Sequence, residues 1–229
     1  MAKTKSKSKA SVPDVDWPAC QLMLTVQPGP GAVDCLRAAF GQCQPVAVLI
    51  RPAPEHHLGA GEAKPLVDLA QDFGAAAIIF GDVKLARTLR ADGVHFVVQT
   101  DGVLESLIAD ARAVLGVTAN IGVDAGISRH RAMEAGEAGA DYVAFGAAEP
   151  SAVARKARDD LVAWWAEIFE VPCVALDVVS AAETAVAERG GADFVALTLP
   201  PGATVDAVMS LTGKVDAVLM LGQDGEQTA

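Results

Sequence analysis

The chain has few cysteines, and none of Cys20, Cys35, Cys43 and Cys173 forms a C-x-x-C pair or lies near a histidine at zinc-binding spacing. A cysteine-based metal centre is therefore not expected, and the four side chains read as buried thiols. Long apolar runs are missing too. The longest, such as Ala75 to Phe80 and Val171 to Leu176, fall far short of a bilayer span, which excludes a membrane protein of the helical kind. No apolar stretch follows the first lysines, so no secretory signal is expected and the expected compartment is the cytoplasm. Basic residues are scarce: 18 Lys and Arg oppose 29 Asp and Glu, for a formal charge of −11. Without Lys3, Lys5, Lys7 and Lys9 the body of the chain carries about −15. Binding along a phosphate backbone needs clustered Lys and Arg, so a broad nucleic-acid surface is excluded and an anionic substrate would have to be held by locally focused donors.

What is present is the composition of a soluble globular protein, 52% hydrophobic and 21% charged over 229 residues. Residues 1–19 read as a disordered Lys/Ser tail with its lead-in, 20–215 as one domain without an internal linker, and 216–229 as a C-terminal segment with a polar end. From Gln21 onward, short β-branched or apolar runs alternate with helical stretches. The strand candidates are Gln21 to Val26, Val46 to Arg51, Ala76 to Phe80, Gly93 to Phe96, Ala119 to Val123, Tyr142 to Phe145, Cys173 to Asp177 and Phe194 to Thr198. Between them apolar residues recur three and four apart, as in Leu66, Leu69, Ala70 and Phe73, which predicts amphipathic helices. Gly74-Ala75, Asp92-Gly93, Gly139-Ala140 and Gly191-Ala192 recur just before strand candidates, marking a repeated βα unit. The pattern predicts a single-domain α/β protein, a (β/α)8 TIM barrel, with an open doubly wound sheet as the alternative.

Gly93-Val94-His95-Phe96, then Ile121-Gly122-Val123, then Gly139-Ala140-Asp141-Tyr142-Val143-Ala144-Phe145-Gly146 resemble, in order and spacing, the thiamine-phosphate synthase and TenI-like thiazole tautomerase superfamily of (β/α)8 barrels. The likeness covers roughly Gln21 to Leu211. It implies thiamine biosynthesis: a synthase joining a pyrimidine diphosphate to a thiazole phosphate, with Mg²⁺ on the diphosphate, or a tautomerase acting on the thiazole.

The resemblance assigns roles residue by residue. Arg51 matches a diphosphate-binding arginine, while Ala53 stands where a lysine is usual. Asp82 and Asp101 match the metal ligands, Asp101 and the neighbouring substrate-binding Gln99 only if one residue has been inserted. Each aspartate could equally cap the helix that follows it. His95 is an acid/base candidate or a packed histidine inside the barrel, and Ser151 matches a catalytic loop whose second Thr and Lys have become Val153 and Ala154, with Arg155 or Lys156 the candidate to replace that lysine from the start of the helix. Lys156 reads equally as part of a solvated helix face. Asp124 replaces a phosphate-binding serine, and Asp177 stands where glycine amides would meet a phosphate. A carboxylate only accepts hydrogen bonds and repels an anion, so thiazole phosphate is expected to bind poorly. The carboxylates concentrated at one mouth make a divalent metal or a cationic small molecule the expected guest, with Asp82 and Asp124 as its principal contacts. Two functions stay open: a thiamine-phosphate synthase-type transferase with altered phosphate contacts, or an inactive or repurposed barrel kept for binding. The expected partner is a small molecule at the C-terminal barrel face. Trp164-Trp165 is either an interface for a homodimer or a core tryptophan beside a surface one.

Overall fold

The computed structural model describes residues 20–97, 102–147 and 151–226. Strands and helices alternate: β1 (Gln21–Val26), α1 (Ala32–Phe40), β2 (Ala47–Ile50), α2 (Ala60–Asp72), β3 (Ala76–Phe80), α3 (Val83–Leu89), β4 (Gly93–Val97), α4 (Leu104–Leu115), β5 (Asn120–Asp124), α5 (Arg129–Glu137), β6 (Tyr142–Phe145), α6 (Ala152–Ile168), β7 (Cys173–Val178), α7 (Ala181–Arg189), β8 (Phe194–Thr198) and α8 (Val205–Glu226). Every strand pairs in parallel with its sequence neighbours, and β8 returns to β1, so the sheet is a closed (β/α)8 barrel rather than an open sheet. α8 runs past residue 215, where the sequence suggested the barrel domain would end. Its buried Val208, Thr212, Val215 and Leu219 form one continuous stripe at spacings of three and four, and the helix packs on α1 and α7. No helix among the described residues is long and apolar enough to cross a membrane. All four cysteines are free and buried.

Both faces of the sheet are covered, which is why the strands read as nearly continuous apolar runs. Alternation divides them: Leu22, Leu24, Val48, Ile50, Ala77 and Ile79 pack beneath the helices, whereas Met23, Leu49, Ile78, Ala144, Leu176 and Ala196 fill the barrel. Two polar rings share that interior. Gly122 of β5 lies in register between His95 of β4 and Tyr142 of β6. A Cβ at this position would stand 1.9 Å from the Tyr142 ring, so only glycine leaves room for it. Across the gap His95 Nδ1 and the Tyr142 hydroxyl hydrogen-bond at 3.0 Å.

Three aspartates lock the N-terminal end of the ring. Asp92, Asp141 and Asp193 each stand immediately before an even-numbered strand. Asp92 Oδ2 accepts from the Ala77 N–H at 2.8 Å, Asp141 Oδ2 from Ile121 at 2.6 Å, and Asp193 Oδ2 from Cys173 at 2.8 Å. Each carboxylate thus supplies an acceptor to an amide at the start of the preceding strand. Asp193→Ala leaves the Cys173 amide without that charged acceptor, and urea unfolding is expected to show a loss of about 1.5–3 kcal/mol. A change below about 0.5 kcal/mol would mean that the contact does not hold the strand pair together.

Candidate functional site

The mouth is built by residues at the C-terminal ends of the strands. Arg51 directly follows β2; its guanidinium lies over the Phe80 ring, 5.3 Å from the centroid, and donates to Asp177 Oδ1 at 2.8 Å. Both side chains are partly exposed, so the pair fixes orientation more than it adds stability. Asp177 reaches this position through an irregularity in β7. The register with β8 slips between Ala175 and Val178, and Asp177 has a left-handed φ of 57°. Leu176 faces the barrel interior and Val178 the helices, so the extra residue lets Asp177 also turn inward. A bulge removes carbonyls from the ladder, and buried carbonyls need donors. Arg158 of α6, with no exposed surface, donates through Nη1 to the carbonyl oxygens of Leu176 at 3.2 Å and Asp177 at 3.4 Å. Its charge is matched by Asp159 Oδ1 at 2.9 Å and Glu183 Oε2 at 3.4 Å. Arg158 was not singled out in the sequence. Its signal was a cation on the same face as Leu161, Val162 and Trp165, the buried stripe of α6.

Asp124, the last residue of β5, meets Asp177 above Gly146. A Cβ on Gly146 would lie 3.1 Å from Asp124 Oδ2 and 3.2 Å from Asp177 Oδ2, so the glycine makes room for both carboxylates. Asp124 Oδ1 accepts from the Gly126 N–H at 2.7 Å. Burial pushes the Asp124 carboxyl up to about 6; the charge of Asp177 adds to the rise, while the Gly126 and Gly146 amides and the charge of Arg51 oppose it. Beside the pair, a cavity of about 460 Å³ is lined by Thr25, Arg51, Ala53, Glu55, Phe80 and Thr198, among others. Thr25 and Thr198 are register partners on β1 and β8, and neither hydroxyl has a hydrogen-bond partner among the described residues. A larger cavity of about 760 Å³ opens at the opposite end of the barrel around Phe40, Phe73, Ile78 and Phe194. No Asp, Glu, His, Lys or Arg lines it, so the chemistry belongs to the mouth.

Of the residues singled out from the sequence, the structure brings Arg51, Asp124 and Asp177 together. His95 is the packed alternative. It is 1% exposed, and burial, followed by the charge of Arg51, lowers its pKa to about 3, which favours the neutral imidazole. Asp82 caps α3, accepting from the Leu85 N–H at 2.9 Å, and Ser151 caps α6, accepting from Ala154 at 3.1 Å. Lys156 pairs with Asp160 one turn along α6, at 2.8 Å on an exposed face. Gln99 and Asp101 lie outside the described residues. Among the described residues no group of three or more His, Cys, Asp or Glu side chains is placed to hold a metal ion. Trp165 is the core tryptophan, donating to the Val171 carbonyl at 2.7 Å, and Trp164 lies half-buried beneath Arg129.

A closed βα ring with ionisable side chains gathered at the C-terminal ends of its strands is the arrangement in which barrels of this architecture hold small-molecule ligands. The chain belongs to the thiamine monophosphate synthase family, whose model matches residues 45–199. The match runs from the residues before β2 to the residue after β8. The chain is 41% identical to the thiamine-phosphate synthase of Erythrobacter litoralis over 149 residues, 63% of this chain and 68% of that protein. It is 34% identical to that of Rhodospirillum centenum over 186 residues, 78% and 87% of the two chains. The solved thiamine phosphate pyrophosphorylase from Pyrococcus furiosus has the same fold, with a TM-score of 0.69 and 20% identity over 90% of this chain and 98% of that one.

The charge on Asp124 opposes folding, because its carboxyl is a weaker acid folded than unfolded. Below the ordinary value of 3.8 the group is protonated in both states and the penalty is absent; it grows as pH rises and is complete above about 6. Asp124→Asn keeps an oxygen for Gly126 and removes the charge. It is expected to raise stability by ~2–3 kcal/mol near neutral pH and to leave it nearly unchanged at about pH 3.5. Urea unfolding at both pH values checks this, and equal effects at the two would rule out charge as the cause.

Proposed function

We propose that this barrel acts in thiamine biosynthesis as a thiamine-phosphate synthase-type transferase, joining a pyrimidine diphosphate to a thiazole phosphate at the C-terminal mouth, with a weakened hold on phosphate. The family membership over residues 45–199 carries the first half of the reading. The second rests on the mouth. Arg51 is paired with Asp177 at 2.8 Å, Asp124 occupies the position that the resemblance gives to a phosphate-binding serine, and Ala53 lines the cavity where the resemblance places a lysine. Next to the pair a phosphate meets the Asp124 and Asp177 carboxylates and an arginine that Asp177 already engages. A binding role without catalysis is the second reading, favoured by the same closed Arg51–Asp177 pair.

Incubating the protein with the pyrimidine diphosphate and thiazole phosphate, with and without magnesium ion, and measuring thiamine phosphate tests the choice. Slow product formation is expected from the wild type. Asp124→Ser exchanges a repelling carboxylate for a donor, and one charge-assisted hydrogen bond of about 1.5–3 kcal/mol corresponds to an increase of roughly tenfold to a hundredfold in kcat/KM. Absence of product from both proteins would leave the non-catalytic reading. A wild type faster than Asp124→Ser would show that the carboxylate assists the reaction.

A further inference from the structure

From the hydrogen bonds around the β7 bulge, we infer that the buried Arg158 is a positioning residue for Arg51: it fixes the backbone of Asp177, and through it sets how readily Arg51 turns from Asp177 to a phosphate, an inference that rests on the transferase reading of the mouth. Arg51 lines the cavity of about 460 Å³ and is held on two sides. The Phe80 ring lies under its guanidinium at 5.3 Å, a contact that leaves its N–H groups available, whereas Asp177 Oδ1 takes a hydrogen bond from Nη1 at 2.8 Å. A carboxylate and a phosphate bind a guanidinium by the same charge-assisted hydrogen bonds, so Asp177 competes with any phosphate for Arg51. The position of Asp177 therefore decides how much of that arginine a ligand meets.

That position is set by a residue of another element. Asp177 has a left-handed φ of 57°, and the pairing of β7 with β8 slips between Ala175 and Val178, so the ladder does not fix it. The carbonyls of Leu176 and Asp177 belong to the two peptide units that flank the Asp177 Cα. Both accept from a single nitrogen, Arg158 Nη1, at 3.2 and 3.4 Å, and one donor on both units fixes the two backbone torsions of Asp177 together. Arg158 is itself immobilised. Its side chain has no exposed surface, its Nε donates to Asp159 Oδ1 at 2.9 Å, and Nη1 also lies 3.4 Å from Glu183 Oε2. A cation on a packed helix face, shut off from water and from any ligand, acts on the mouth only through what it holds, and what it holds is the Asp177 backbone.

The test is calorimetry on the full chain in metal-free buffer near neutral pH, titrating inorganic pyrophosphate into the wild type, Asp177→Asn, Arg158→Gln and the double variant. Asparagine tolerates the left-handed backbone and lacks the charge, so Asp177→Asn is expected to bind pyrophosphate at least about fivefold more tightly than the wild type. Arg158→Gln is expected to bind it at least about threefold more tightly while Asp177 is present, and to add less than about 1.5-fold in the Asp177→Asn background. Loss of a positive charge alone would weaken the binding of an anion, so tightening is a readout that neither charge removal nor general destabilisation produces. Arg158→Gln that leaves affinity unchanged or weaker, or that tightens it equally in both backgrounds, overturns the inference while Asp177→Asn upholds the mouth as a phosphate site. If Asp177→Asn does not tighten binding, or no protein binds pyrophosphate, the phosphate role of Arg51 fails and the inference with it. Should Arg158→Gln not fold, as thermal unfolding would reveal, Arg158→Lys takes its place. A single ammonium cannot serve both Asp159 and the bulge carbonyls, so about twofold tightening is expected, lost in the Asp177→Asn background, and its absence overturns the inference equally.

Discussion

The charge pattern of the mouth depends on a guanidinium that never meets water. Arg158 lies wholly inside the protein, and its Nη1 is directed to the two carbonyls that the β7 bulge removes from the sheet. Without the bulge, Asp177 would follow the alternation of the strand and face the helices. It would then be unable to reach Arg51, and Arg51 would be free to meet an anion. A substitution on α6 therefore has its electrostatic consequence on the opposite side of the ring, at the end of β2. Isolated buried charges are unfavourable, so the Asp159 and Glu183 carboxylates around Arg158 are part of the same requirement.

Most of the fold was legible in the sequence, because closed parallel sheets impose a simple rule: runs buried on both faces, separated by helices with one apolar stripe. The start of every strand was readable to within a residue, and Arg51, Asp124 and Asp177 could be placed at the mouth because strand ends set the phase of their side chains. What could not be read was any contact whose partner is distant in the chain. Nothing near Asp177 announces that it spans the mouth to Arg51, or that a helix arginine holds its carbonyls. Of the aspartates before β4, β6 and β8, Asp92 was visible only as part of a turn and Asp141 as part of a motif, and Asp193 was not singled out. Their bonds to the preceding strands depend on neighbours that lie 15 to 20 residues away in the sequence.

A second division runs between groups satisfied locally and groups satisfied across the barrel. Asp82 and Ser151 spend a side-chain oxygen on an amide three residues on, a contact that forms wherever such a residue begins a helix. His95 shows the opposite case. Its sequence neighbourhood matches an acid/base position, yet the absence of a side chain at Gly122 draws it against Tyr142 and away from solvent. Its neutrality is a property of barrel packing.

The aspartate contacts at the floor of the ring give it a partial fourfold symmetry. They join β3 to β4, β5 to β6 and β7 to β8, with the same oxygen meeting an amide near the start of the earlier strand. The corresponding place before β2 holds Pro45 and Val46, and β1 with β2 carries no such rivet. The floor thus repeats one fastening in three of its four strand pairs and lacks it in the fourth. The mouth keeps no trace of that symmetry: its arginine and two carboxylates come from three different quarters. In this molecule repetition lies where strands are fastened, and the end that carries the arginine and the two carboxylates departs from it.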